Sequence, residues 1–163
     1  MQLAETPALV QALAAALTRR GQLLASAESC TGGLIAAACT DLAGSSNWFE
    51  RGFVTYSNAA KTGLLGVSGA LIAAHGAVSE PVARAMAAGA LAHSRAQVTA
   101  AVTGIAGPTG GSAEKPVGTV CFGWHTGGQT VTETRHFHGN RAAVRAQATA
   151  HALRRLVELL GNL

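Results

Sequence analysis

An α/β domain with a mixed, mostly parallel five-strand sheet and helices on both faces is the fold this sequence predicts. Three observations lead to it. Short β-rich segments alternate with helical ones along most of the chain, an order that favours parallel neighbours. Two late strands meet at Gly127-Gly128, which adds an antiparallel pair. Of the residues, 48% are hydrophobic but only 4% aromatic. The core is therefore built from small aliphatic side chains, which let helix and sheet approach closely.

Pro7 to Arg20 places Leu9, Val10, Leu13, Ala14 and Leu17 on one helical face, and Gly21 ends it. Gln22 to Ala27 is short and apolar enough for a buried strand. Thr31 to Leu42 reads as a helix opened by Gly32-Gly33, and Gly44-Ser45-Ser46 as a loop. Gly52 to Ser57 is a strand by its β-branched and aromatic content. Asn58 to Leu65 and Ser68 to His75 are short helices. Ser79-Glu80-Pro81 opens another, because Ser caps a helix and Glu and Pro suit its first turn. Gln97 to Thr103 is a strand, and Ile105 to Pro116, with its glycines and prolines, a long loop. Val117 to Trp124 and Thr130 to His138 form the hairpin. Asn140 caps a last helix carrying Val144, Ala148, Ala152, Leu156 and Leu160.

A length of 163 residues fits a single domain over 1–163. The low charged fraction, 12%, excludes a disordered chain. The net charge of +4 is dispersed from Arg19 to Arg155, which favours anionic small molecules over nucleic acid. Leu9 to Leu17 imitates a signal peptide, but Glu5 precedes it and Arg19-Arg20 follow, the reverse of a signal's charge order. No apolar run is long enough to span a membrane. A soluble, cytoplasmic protein is expected. Cys30, Cys39 and Cys121 have no metal or disulfide spacing. Asp41 is the only Asp beside seven Glu, and no close carboxylate pair suggests glycosidase or two-metal chemistry.

Four segments carry candidate chemistry. The first is the strand-to-helix turn at Ser29, where Cys30, Thr31, Gly32 and Gly33 can offer backbone amides to a phosphate or an oxyanion. Ser29 or Thr31 acting only as a helix cap explains the same residues. The second is Tyr56 to Lys61. On a strand, Tyr56 and Asn58 share a face, and Lys61 then falls on the first turn of the next helix, where the dipole favours its neutral form. Lys61 and Lys115 are the only lysines beside ten arginines, and a buried Lys, unlike Arg, can lose its proton. A solvated Lys is the plain alternative. The third is the loop holding Thr103, Gly104, Gly107, Gly110 and Gly111, which can cradle an anion yet matches no standard phosphate motif. The fourth is Arg141 and Arg145, four apart near a helix start, where a substrate phosphate or plain solvent can face them. His136 and His138 alternate on a strand without a third ligand, so no metal is expected. Cys30 is a second possible nucleophile, but on an extended chain only one of Ser29 and Cys30 faces a given side.

Together the segments AESCTGG (27–33), GSSNWFERGFVTYSNAAK (44–61), HGAVSEPVA (75–83), VTGIAGPTGGSAEKPVGTV (102–120) and RAAVRAQAT (141–149) resemble the CinA C-terminal domain family. One departure is Asn140, where the family usually has Asp. The resemblance implies a three-layer α/β/α sandwich and hydrolysis of the carboxamide of nicotinamide mononucleotide to nicotinic acid mononucleotide and ammonia. It implies Ser29 as nucleophile, Lys61 as base, Tyr56 as orienting or relaying group, and the 31–33 turn as oxyanion site. Asn58, the Thr103–Gly111 loop and Arg141 or Arg145 would hold ribose and phosphate, without metal or other cofactor. A homodimer is expected. A non-catalytic pyridine-nucleotide sensor and a competence-associated DNA-binding protein are the competing readings. The scarcity of aromatics and the dispersed arginines weigh against the last.

Overall fold

The computed structural model describes residues 2–161, with side chains from 5 onward. Helix α1 (Gln2–Arg20) leads into strand β1 (Leu24–Glu28), then α2 (Leu34–Thr40), a short 3-10 turn (Ser45–Asn47) and β2 (Phe49–Val54). Helices α3 (Asn58–Leu65), α4 (Gly69–His75) and α5 (Glu80–Ala92) precede β3 (Val98–Gly104). The chain closes with β4 (Thr119–Thr126), β5 (Gln129–His136) and α6 (Arg141–Gly161).

The sheet order is β2-β1-β3-β4-β5. β1 pairs parallel with β2 on one side and with β3 on the other, while β3–β4 and β4–β5 are antiparallel. Four of the five strands therefore share one direction and β4 opposes them, the mixed sheet that was expected. Moving from β1 to β2 and then back past β1 to β3 reverses the direction of winding. Right-handed crossovers then put α2 on one face and α3 to α5 on the other. The reversal occurs at the carboxyl ends of β1 and β3, the place where open α/β sheets bind ligands.

Two cores result. On one face Leu13 and Leu17 of α1, Ile35 of α2 and Leu153, Leu156 and Leu160 of α6 pack on Leu24, Val98, Val102, Phe122 and Trp124. On the other, Leu65, Ile72, Val82, Met86 and Ala90 cover Ala27 and Ala101. Small residues set the spacing of the second layer. A Cβ on Gly123 would lie 2.6 Å from the Ala83 carbonyl oxygen, and one on Gly89 would collide with that of Leu65. Gly89→Ala, ordinarily a gain in a helix, is therefore expected to destabilise by about 2 kcal/mol through overpacking, read from the midpoint of denaturant unfolding.

Boundaries differ from expectation for local reasons. α1 begins before Pro7, since a proline one turn inside a helix leaves only one carbonyl near its end unpaired. The helix expected from Thr31 begins at Leu34, because Thr31 to Gly33 form a turn with Gly32 and Gly33 at φ 59 and 105. β2 ends at Val54 rather than Ser57. Ser57 accepts from the Ala60 amide and caps α3, which ends the extended run. Gly127 and Gly128, at φ 57 and 78, make the two-residue hairpin turn.

Candidate active site

β1 delivers Glu28 and Ser29 to the sheet's carboxyl edge, and Glu28 sets the shape of the Ser29–Gly33 turn. Its carboxylate is fully buried. It accepts from Thr31 Oγ1 at 2.6 Å and from the amides of Gly33, Ile35 and Ala36 at 3.2, 2.9 and 3.0 Å. Glu28 thus caps α2 from outside the helix and fastens the turn to it. Nothing in the linear pattern marks this role beyond an acid at the end of an apolar strand. Glu28→Gln replaces one acceptor oxygen by a donor against these amides. It is expected to lower unfolding stability by about 3 kcal/mol in chemical denaturation.

That capping revises the expected oxyanion turn. The Gly33 amide is held by Glu28, and the Gly32 amide donates to the Ser29 carbonyl at 3.0 Å. Thr31 is fully buried. Of these four residues only Cys30 lines the cleft. Burial pushes the Cys30 thiol up to about 12. A thiol held protonated is a poor nucleophile, and its sulfur packs toward Gly104 instead.

Lys61, on α3, is 1% exposed. Its Nζ lies 3.1 Å from Ser29 Oγ and 3.2 Å from each of the Thr55 and Tyr56 carbonyl oxygens. Ser29 Oγ also reaches the Tyr56 carbonyl at 3.3 Å. Burial, the main cause, depresses the Lys61 pKa from its ordinary 10.5. A neutral amine has two N–H donors and one lone pair. The two carbonyls take the donors, which leaves the lone pair for the Ser29 hydroxyl.

Tyr56 enters by its backbone rather than its phenol. The side chain is 60% exposed, past the end of β2, and its hydroxyl accepts from Arg141 at 3.0 Å. It shares no strand face with Asn58, the first residue of α3. The two arginines also part. Arg141 lines the cleft and donates to the Gly107 carbonyl at 2.8 Å. Arg145 does not line it: its Nε and a terminal nitrogen donate to the Cys30 and Thr31 carbonyls at 3.0 and 3.2 Å, bracing the turn from behind.

These groups surround a cleft of about 320 Å³. Ser29, Cys30, Tyr56, Asn58, Lys61, Thr103, Gly104, Gly107, Gly110 and Arg141 line it, joined by Ile105, Ala106 and Thr109 of the same loop. Thr103 Oγ1 donates to the Ala77 carbonyl at 2.9 Å, so toward a ligand it can only accept. Gly111 lies outside the cleft, where a Cβ would press 2.7 Å from the Val117 nitrogen. Asn140 caps α6 through the Ala143 amide at 2.9 Å. Ala77 and Val78, from the α4–α5 connection, complete the wall. Sequence reasoning missed both, since apolar residues in a connection carry no periodic signal.

The profile of the CinA C-terminal domain matches residues 6–160. The chain belongs to the CinA C-terminal domain family. It is 57% identical over 142 residues to the nicotinamide-nucleotide amidohydrolase PncC of Escherichia coli K12, covering 86% of each chain. A CinA-like protein of Mycolicibacterium gilvum is 56% identical over 155 residues, 93% of this chain, and there the chain spans only 36% of the relative's length. The solved structure of a CinA superfamily protein from Escherichia coli superposes with a TM-score of 0.92 at 40% identity, covering 94% of this chain and 90% of that one. The CinA family thus includes relatives close to this chain in length and others more than twice as long. Among the described residues no helix is long and apolar enough to cross a membrane.

Proposed function

We propose that this chain is a nicotinamide-nucleotide amidohydrolase, which hydrolyses the carboxamide of nicotinamide mononucleotide through a Ser29–Lys61 dyad. The observation that carries the mechanism is the buried Lys61 Nζ, 3.1 Å from Ser29 Oγ at the floor of the cleft. The likeness to the PncC amidohydrolase supports the substrate.

Neutral Lys61 takes the Ser29 proton as Oγ attacks the amide carbon. The resulting ammonium has three N–H donors, matched to Ser29 Oγ and the Thr55 and Tyr56 carbonyls. The Cys30 amide, next to the nucleophile, is placed to hold the oxyanion. Lys61 then gives its proton to the departing nitrogen as the C–N bond breaks, which releases ammonia and leaves an acyl-serine. Water attacks this ester, Lys61 accepts the water's proton, and Ser29 Oγ leaves with it. The pyridinium charge of the substrate withdraws electrons from the amide and, lying near Lys61, favours its neutral form.

Arg141 is assigned to the phosphate, with Asn58 and the Thr103–Gly110 loop around the ribose. Arg141→Ala is expected to raise KM for nicotinamide mononucleotide roughly 10- to 100-fold, the worth of a charge-assisted contact, with kcat nearly unchanged. Steady-state ammonia release across substrate concentrations measures both. The same assay on the unmodified protein tests the activity itself: tight binding of the nucleotide without ammonia would replace the enzyme by a sensor. The reading places the enzyme in the cytoplasm as a homodimer, to be measured by light scattering.

A further inference from the structure

Lys115 is the second of the chain's two lysines, and the proposed mechanism makes no use of it. It stands on the long loop between β3 and β4 and does not line the catalytic cleft. Its Nζ donates instead to the His75 carbonyl at 2.9 Å, in the connection between α4 and α5. His75 closes α4, where the last carbonyls of a helix have no partner within it and a lysine amine can supply one. The amine lies over Gly76, where a Cβ would come within 3.3 Å of Nζ. The loop end of this tie is itself fixed. The Ser112 amide donates to the Lys115 carbonyl at 2.9 Å, and the Lys115 amide to Ser112 Oγ at 3.0 Å, a closed turn that carries the side chain.

The connection it reaches is held by side chains. Three successive carbonyls, those of His75, Gly76 and Ala77, accept from Lys115 Nζ, Ser79 Oγ and Thr103 Oγ1 at 2.9, 2.8 and 2.9 Å. Thr103 follows Val102 on β3, whose carbonyl accepts from the Ser29 amide at 3.0 Å, so its bond anchors Ala77 to the strand beside the nucleophile. Only Lys115 brings in the loop. Among the described residues it makes the only hydrogen bond between residues 105–118 and 75–79. Ala77 and Val78 line the cleft together with Ile105, Ala106 and Gly107 of the loop. Lys115 therefore joins, from outside the cleft, two segments that serve as walls within it.

We propose that Lys115 is a positioning residue for the nucleotide, holding the Ala77–Val78 wall and the glycine-rich loop at the spacing the substrate needs. The inference rests on the amidohydrolase reading, because the substrate is the ligand whose fit it sets. Walls tied before binding spare the substrate the cost of ordering them. Ser29 and Lys61 are held by other groups, through Glu28 and the carbonyls of Thr55 and Tyr56. Loss of the tie therefore loosens the walls and leaves the reacting pair in place.

Lys115→Met keeps the aliphatic stem and removes the donor. KM for nicotinamide mononucleotide is expected to rise about tenfold with kcat within about threefold of wild type, and Lys115→Arg, which restores a donor, is expected to recover most of the loss. An unchanged KM, a fall in kcat at constant KM, or a Lys115→Arg variant as poor as Lys115→Met overturns the proposal. Hydrogen exchange reads the tie without substrate. The Gly76 amide, bonded to the Ile72 carbonyl at 2.8 Å, is expected to exchange about fivefold faster or more in Lys115→Met. Equal exchange in the two proteins overturns the proposal even where KM has moved. Wild-type protein that releases no ammonia overturns the amidohydrolase reading and this role with it, whereas a failure of Lys115 alone leaves wild-type turnover intact.

Discussion

Ser29→Ala is expected to lower kcat for ammonia release from nicotinamide mononucleotide by about 10⁴-fold or more, with KM changed only a few-fold. In the proposed mechanism the hydroxyl is the attacking atom, whereas the groups assigned to ribose and phosphate lie elsewhere in the cleft. The loss of one oxygen leaves the fold intact, because the turn is fastened by Glu28 and Arg145 and not by Ser29 Oγ. Thermal unfolding should therefore superimpose on that of the wild type. Substantial activity in this variant would move the nucleophile to another atom of the cleft. Because nucleophile and base act as one unit, the Ser29→Ala/Lys61→Met double variant should be scarcely worse than either single one.

Lys61→Met carries the second large effect, a fall of about 10³-fold or more in kcat/KM. Lys61→Arg should fail equally, since a guanidinium cannot give up its proton near neutral pH. The pH profile tests the same point by sign. In the proposed mechanism the neutral amine is the active form, so wild-type kcat/KM should rise with pH and level off once Lys61 has lost its proton. Burial sets that point below the ordinary lysine value of 10.5. Linkage gives the matching trend in stability. A lysine whose folded pKa is depressed binds fewer protons in the folded chain than in the unfolded one, between the folded pKa and 10.5. Its contribution to stability therefore increases as pH climbs through that window and falls away as pH drops toward the folded pKa. Lys61→Met should lack the trend.

The sheet was legible because its strands are short, β-rich and fenced by glycines or polar turns, and the hairpin because Gly127-Gly128 accepts the positive φ that a two-residue turn needs. Lys61 was legible as a candidate through residue type: it is one of two lysines among twelve basic residues. Other parts of the site needed three dimensions. Arg141 and Arg145 have the same type and helix phase, yet one reaches the cleft and the other the back of the turn. Their difference is position along the α6 axis relative to β1, which spacing does not encode. Glu28 draws on four donors from Thr31 to Ala36, a convergence that exists only once the turn is closed. Tyr56 was misplaced because period-two reasoning carried the strand three residues too far, to a Ser57 that already caps the next helix.

The two oxygens that aim Lys61, besides Ser29 itself, are peptide carbonyls of residues 55 and 56. Every amino acid provides such an oxygen, so the aim of the Lys61 amine is written in the path of the chain and not in the identity of its neighbours. Thr55 is buried, but the exposed side chain at Tyr56 is consequently open to redesign. The cleft wall at Tyr56 could be recut for a differently shaped amide while the Lys61–Ser29 geometry beneath it is inherited unchanged.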